Sequence, residues 1–177
     1  MKRKAFGKTL LSLVLMLMFA MSVAVPALAA TGYQSDSKDM LKVINNYRTD
    51  PKLATYVNLN GQDEHPKLKA LKWDNDMAAI ARTRAQQVSK YYSHNLENGK
   101  TQWSVTSNGK EMYTELIARD KETAKEAAEY WYRPESYTNA AQGNRRDMLD
   151  DRITCMGASH YQNDEGRDYW VVVFGQY

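Results

Sequence analysis

Three histidines and a single cysteine are the residues of this chain best suited to chemistry. His94 is the best placed of them. It follows Tyr91-Tyr92-Ser93, where a helical pattern breaks and a polar, glycine-bearing loop begins. A side chain there is held by the helix behind it and faces open space in front, a placement that functional residues favour. An imidazole titrates near neutrality, so His94 can serve as a base, a metal ligand or a hydrogen-bonding group. Ser93 stands beside it, but neighbouring side chains diverge, which is poor geometry for a nucleophile and its base. No G-x-S-x-G, H-E-x-x-H or Cys–His signature occurs. His65, in a proline-containing loop, reads as solvated. Cys155 lies in the apolar setting of Ile153 to Gly157 and reads as a buried, inert thiol. With no second cysteine, an intramolecular disulfide is impossible.

The elements that position these residues follow from periodicity. Met40, Leu41, Ile44 and Tyr47 predict a helix that starts near Lys38, is capped by Asp36 or Ser37, and is ended by Pro51. A second short pattern runs from Leu53 to Leu59, then a turn-rich loop to Pro66. The clearest helix is capped by Asp74 and carries Met77, Ile80, Ala81, Ala85, Val88 and Tyr92 on one face. Arg82, Gln86, Gln87 and Lys90 lie towards the other. Trp103 and Val105 suggest a short strand, and Glu111 to Ala118 one or two helical turns. Asp120 is the expected cap of a helix bearing Ala124, Ala127, Ala128 and Trp131, which Pro134 stops. Residues 135–144 read as a polar crossover and Arg145 to Leu149 as a single helical turn. Residues 154–161 and 169–174 predict a hairpin across Asn163 to Gly166. The run Val171 to Phe174 implies a strand covered on both faces. Helices first and a hairpin last indicate an α+β domain with helices packed on an antiparallel sheet.

Residues 1–29 read as a secretory signal peptide: a basic start, an apolar run from Leu10 to Val25, and Ala27-Leu28-Ala29 as the processing site. The run is shorter than a bilayer requires, so no stable membrane anchor is expected. The C-terminus carries no sorting tail. Cleavage leaves 148 residues, enough for one domain, with residues 30–36 as a flexible lead-in and 37–177 as the folded unit. The leader removes four of the 24 Lys and Arg and none of the 21 acids. The mature chain then holds 20 bases against 21 acids, a net charge of −1. Such a domain has no overall attraction to nucleic acid.

The order of motifs resembles the CAP superfamily: cysteine-rich secretory proteins, antigen 5 and pathogenesis-related group one proteins, which share the SCP domain. Asn45-Asn46-Tyr47-Arg48 resembles the first-helix Asn-x-Tyr-Arg. Leu71-Lys72-Trp73-Asp74, Ser93-His94, Glu115 to Ala118, Ala127 to Trp131, Met156-Gly157 and Tyr169 to Gly175 follow in the family's order. The resemblance implies an α-β-α sandwich with a central cleft presenting two His and two Glu, the histidines holding a divalent metal in several members. His94 matches the first His, Glu115 the first Glu, and Glu135 lies near the place of the second. Where the bacterial form reads Gly-His-Arg, this chain reads Gly143-Asn144-Arg145, so Asn144 replaces the second His. A zinc site built on His94 would be weak, because an amide oxygen is a poor substitute for imidazole. His160 could supply a ligand only if its strand turned it into the cleft. Arg145 could pair with an acid there.

Two functions are then open. The first is a secreted, monomeric, non-catalytic binding module, with a cleft formed by His94, Glu115, Glu135, Asn144 and Arg145. Its partner would be an extracellular lipid, peptide or cell-surface component. Tyr91, Tyr92, Trp103, Tyr113, Tyr130 and Tyr132 are available for contact or for the core. The second is a hydrolase, with His94 as general base, Glu115 orienting it, Ser93 or a water as nucleophile and Glu135 as a further candidate, weakened by Asn144. The likeness in fold alone sets little between them.

Overall fold

The computed structural model describes residues 33–133 and 142–177. The leader and Glu135 lie outside the described residues. No helix among those described is long and apolar enough to cross a membrane.

The carboxy-terminal hairpin is the centre of the molecule. Strands β8 (Cys155–Gln162) and β9 (Asp168–Gly175) pair antiparallel from Cys155↔Gly175 to Gln162↔Asp168. Strand β7 (Thr114–Arg119) adds to β9, with Glu115 opposite Val173. Two elements share the far edge of β8. Strand β1 (Tyr33–Asp36) pairs antiparallel with its second half, and β4 (Lys72–Trp73) pairs parallel with Cys155 and Met156. Two small hairpins lie outside this sheet: β2 (Tyr56–Val57) with β3 (Asp63–Glu64), and β5 (Thr106–Ser107) with β6 (Lys110–Glu111).

Strand alternation divides the interior into two cores. On one face Leu116, Ala118, Met156, Ala158, Trp170, Val172 and Phe174 meet three helices. These are α1 (Lys38–Thr49), α3 (Ala124–Tyr132) and α4 (Gly143–Met148). On the other face Ile117, Cys155, Tyr169, Val171 and Val173 meet α2 (Asn75–Lys90) through Met77, Ile80, Ala81, Ala85 and Val88. The result is an α-β-α sandwich, as expected. Gly157 lets α2 lie directly on β8, since a Cβ there would drive into the backbone of Met77 and Ala78.

The motif residues of α1 hold the fold together. Asn45 accepts from the Leu71 N–H (2.7 Å) and donates to its carbonyl (3.0 Å), fixing the approach to β4. Tyr47 stacks on Tyr132, ring centroids 4.2 Å apart. Arg48 is fully buried and donates to the carbonyls of Lys69, Met148 and Asp150. Burial lowers its pKa to about 10, the nearby acids Asp150 and Asp151 opposing the shift.

Several local expectations fail for tertiary reasons. Residues 33–36 are not a loose lead-in; their backbone finds partners on the edge of β8. The short pattern from Leu53 to Leu59 resolves into a turn and the strand Tyr56–Val57, and Leu59 is left 73% exposed. Trp103 and Val105 form no strand: Gln102–Ser104 is a 3₁₀ turn that buries Gln102 and leaves Trp103 half-exposed. Glu111 to Ala118 is not helical, because β9 offers its edge and both cores take alternate side chains of β7. Thr123, not Asp120, caps α3; Asp120 sits in the preceding turn at φ 58°.

Candidate functional site

Glu115 and Ile117 share the α2 face of β7, the outer strand of the main sheet. Alternation therefore sends the Glu115 carboxylate into the core beneath the end of α2. It is received by Arg84, which lies seven residues after Met77 and four before Val88, on the buried stripe of that helix. Arg84 Nε donates to Glu115 Oε2 at 2.9 Å and Nη2 to Oε1 at 2.8 Å, a two-pronged pair. Both side chains are excluded from water, with exposures of 1% and 0%.

The same guanidinium holds the loop that carries His94. Nη2 also donates to the carbonyls of Ser93 (2.9 Å) and His94 (3.2 Å), and Nη1 to Gln87 Oε1. The helix has ended just before, where the Tyr91 N–H still bonds to the Gln87 carbonyl. The Ser93 hydroxyl accepts from the Asn95 N–H, closing a tight turn. His94 Nδ1 lies 3.0 Å from Glu115 Oε1. The carboxylate paired with Arg84 is an acceptor, so Nδ1 donates to it, which leaves Nε2 as the accepting nitrogen of the neutral ring. His94 is half-exposed, at 50%, while its partner is wholly buried.

Asp147, near the end of α4, belongs to the same region. Burial raises its carboxyl pKa; Asp150 adds to the rise, while the Thr114 hydroxyl bond, Arg146 and His94 oppose it. Thr114 Oγ1 donates to Asp147 Oδ2 at 3.1 Å. Asp147 borders a groove of 520 Å³ with Tyr56, Asn58 and Arg146. On the other side, Arg84 borders a cavity of 420 Å³ with Tyr91, Asn95 and Leu96.

The other residues singled out in the sequence fall elsewhere. Asn144 lies half-buried in the first turn of α4. Arg145 meets no cleft acid among the described residues: it lies over the Tyr132 ring at 4.1 Å and donates to Thr55 Oγ1 and Tyr132 Oη. His160 does not reach His94. Its ring stacks on Trp170 across the hairpin, and Nε2 meets Asp168 Oδ1 at 2.7 Å. His65 is exposed. Cys155 is buried, and burial raises its thiol pKa. Arg84 and Asp147 were missed. A visible signal existed for Arg84, a charge on the apolar stripe of α2; none existed for Asp147.

The model of the cysteine-rich secretory protein family, CAP, matches residues 41–174. The chain belongs to this family. No curated protein sequence matches it. Among solved structures it is similar to an outer surface protein from Borrelia burgdorferi, with a TM-score of 0.57 and 17% identity. That match covers 82% of this chain and 98% of the other, a likeness of fold.

The donor set of this CAP domain can be tested against the zinc that its family suggests. Both oxygens of Glu115 are taken up by Arg84, and one also receives His94. The nearest guanidinium is a fixed positive charge beside the site. With Asn144 where a second histidine would stand and His160 held by Asp168, His94 is the one imidazole at the site among the described residues, too little for a zinc ion. No group of three or more His, Cys, Asp or Glu side chains suited to a metal occurs among the described residues. The described residues do not fit zinc.

Proposed function

We propose that this CAP domain is an extracellular binding module, and that His94 contacts its ligand by hydrogen bonding without metal or covalent chemistry. The carrying observation is the two-pronged hold of Arg84 on Glu115. A carboxylate gripped on both oxygens by a guanidinium is fixed in place, and it fixes the ring bonded to it. Glu115 is thus suited to orienting His94, with Nε2 outward as an acceptor. Ser93 Oγ, engaged with the Asn95 N–H, is poorly suited to attack. The grooves bordered by Tyr91 and by Tyr56 offer aromatic and amide surface for an extended ligand. The leader read in residues 1–29 and the family together support secretion.

Zinc titration of the mature protein by calorimetry, with His94→Ala as control, tests one side. The expected outcome is no saturable, His94-dependent heat. A screen with casein and p-nitrophenyl esters tests the other. Hydrolysis abolished by both His94→Ala and Glu115→Gln would make this domain an enzyme and end the reading.

A further inference from the structure

A second groove lies away from His94. Residues 65–71 form neither helix nor strand and lead into β4. Within them Leu68 packs inward on the core beside α1, so Lys67 and Lys69 leave on the solvent side, and both are exposed. Lys72, on β4, is exposed as well. The three lysines line one cavity of 470 Å³ with Leu68, Ile153 and Tyr177.

What distinguishes these lysines is that all three line one cavity. Lys42, Lys110 and Lys125 each lie within 3.9 Å of a carboxylate. Lys67, Lys69 and Lys72 make no side-chain hydrogen bond or ion pair among the described residues. Asp151 is the one acidic side chain lining the cavity. Arg48 also lines it, with its Nε and Nη1 donating to main-chain carbonyls. A chain of net charge −1 after its leader thus concentrates three unpaired cations on one groove. Mutual repulsion disfavours that arrangement unless an anion relieves it.

We propose that this groove binds a linear phosphodiester polyanion of the polyol-phosphate kind found in cell envelopes. A lysine ammonium is a compact point charge that serves as a phosphate binder. The apolar floor of Leu68, Ile153 and Tyr177 suits the carbon linkers between successive phosphates. A single-stranded nucleic acid fits less well, because it is gripped by a series of stacking rings and Tyr177 is the sole ring here.

The test is fluorescence anisotropy of labelled poly(glycerol phosphate) titrated with the mature protein, beside labelled oligo-dT and dextran. Saturable binding of the polyol phosphate is expected. With three phosphate contacts on a flexible strand, affinity falls roughly 20-fold between 50 and 200 mM salt. The Lys67→Gln/Lys69→Gln/Lys72→Gln variant loses at least about tenfold at 50 mM and most of the salt dependence. The triple Lys→Arg variant keeps both. All three positions are exposed, so thermal melts should stay superimposable. The proposal is overturned by unchanged binding in the triple Gln variant, by oligo-dT or dextran binding as tightly, or by no saturable binding at 50 mM salt. The His94→Ala variant binds the polymer as the unaltered protein does, so this reading and that of the His94 site fail separately.

Discussion

Arg84 does two jobs with one guanidinium. It neutralises Glu115, and it ties the Ser93–His94 turn to the sheet. Removing it leaves a buried carboxylate without a counter-charge, which costs about 3–5 kcal/mol in comparable buried pairs. Urea unfolding of Arg84→Met should show a loss of that size. The double variant Arg84→Met/Glu115→Met should regain most of it, because two apolar side chains replace both charges. It should also free the His94 ring, detectable as loss of the slowly exchanging Nδ1 proton by NMR. Asp147 makes a separate claim at this scale. Burial raises its pKa, so the folded state holds its proton above the unfolded value. Stability therefore falls as pH rises from the unfolded value through the raised folded one, and the cost is complete above it. Asp147→Asn keeps the acceptor for Thr114 and removes the charge. It should be more stable than the unaltered protein at pH 7 and flatter across that window, as read from denaturant midpoints at several pH values.

The elements are positioned by a few close approaches. Helix α2 sits on β8 only because residue 157 lacks a Cβ. Gly157→Ala must push α2 away from the sheet or distort the strand. Overpacking of this kind typically costs about 1–3 kcal/mol, and backbone atoms yield less than side chains. A loss at or above the top of that range in urea is expected. The start of α2 is set by Asp74, whose Oδ1 accepts from the N–H groups of Asp76 and Met77 while Oδ2 meets Lys110 at 2.8 Å. Burial acts to raise the Asp74 pKa, but Lys110 and the two N–H groups outweigh it and lower the value. The capping stability is thus present above the ordinary carboxylate range and lost as pH falls through the lowered value. Asp74→Ala should cost about 1 kcal/mol at pH 7, and the difference from the unaltered protein should shrink in acid.

At the scale of the whole molecule, the sandwich depends on contacts far apart in sequence. Arg48 on α1 reaches carbonyls on both sides, at Lys69 and at Met148 and Asp150. It thereby closes the lower layer between the approach to β4 and the end of α4. Arg48→Met would leave those buried carbonyls unpaired, each at about 1–3 kcal/mol. Differential scanning calorimetry should show one transition at a markedly lower Tm.

The chain's local patterns were enough for helices α1 and α2, the cap at Asp74, the terminal hairpin and the two-faced β9, while the choice of Ser37 over Asp36 as the cap of α1 came from the structure. In each, periodicity and capping chemistry agree with burial. The ordered motifs were enough for the family. Strands β1 and β7 were not legible, because each exists by pairing with an edge supplied by the hairpin 50 or more residues away. Glu115 therefore looked like an acid on a short helix, when its strand turns it inward. For the candidate site, the sequence by itself put His94 at a helix end and matched it with Glu115. Only the tertiary structure decided that Arg84 stands behind both, that Asp147 joins the region, and that His160 belongs to Asp168 and Trp170. Those pairings depend on which face of the sheet each side chain takes. That choice is made when the two cores close, through contacts that no local window of the chain contains.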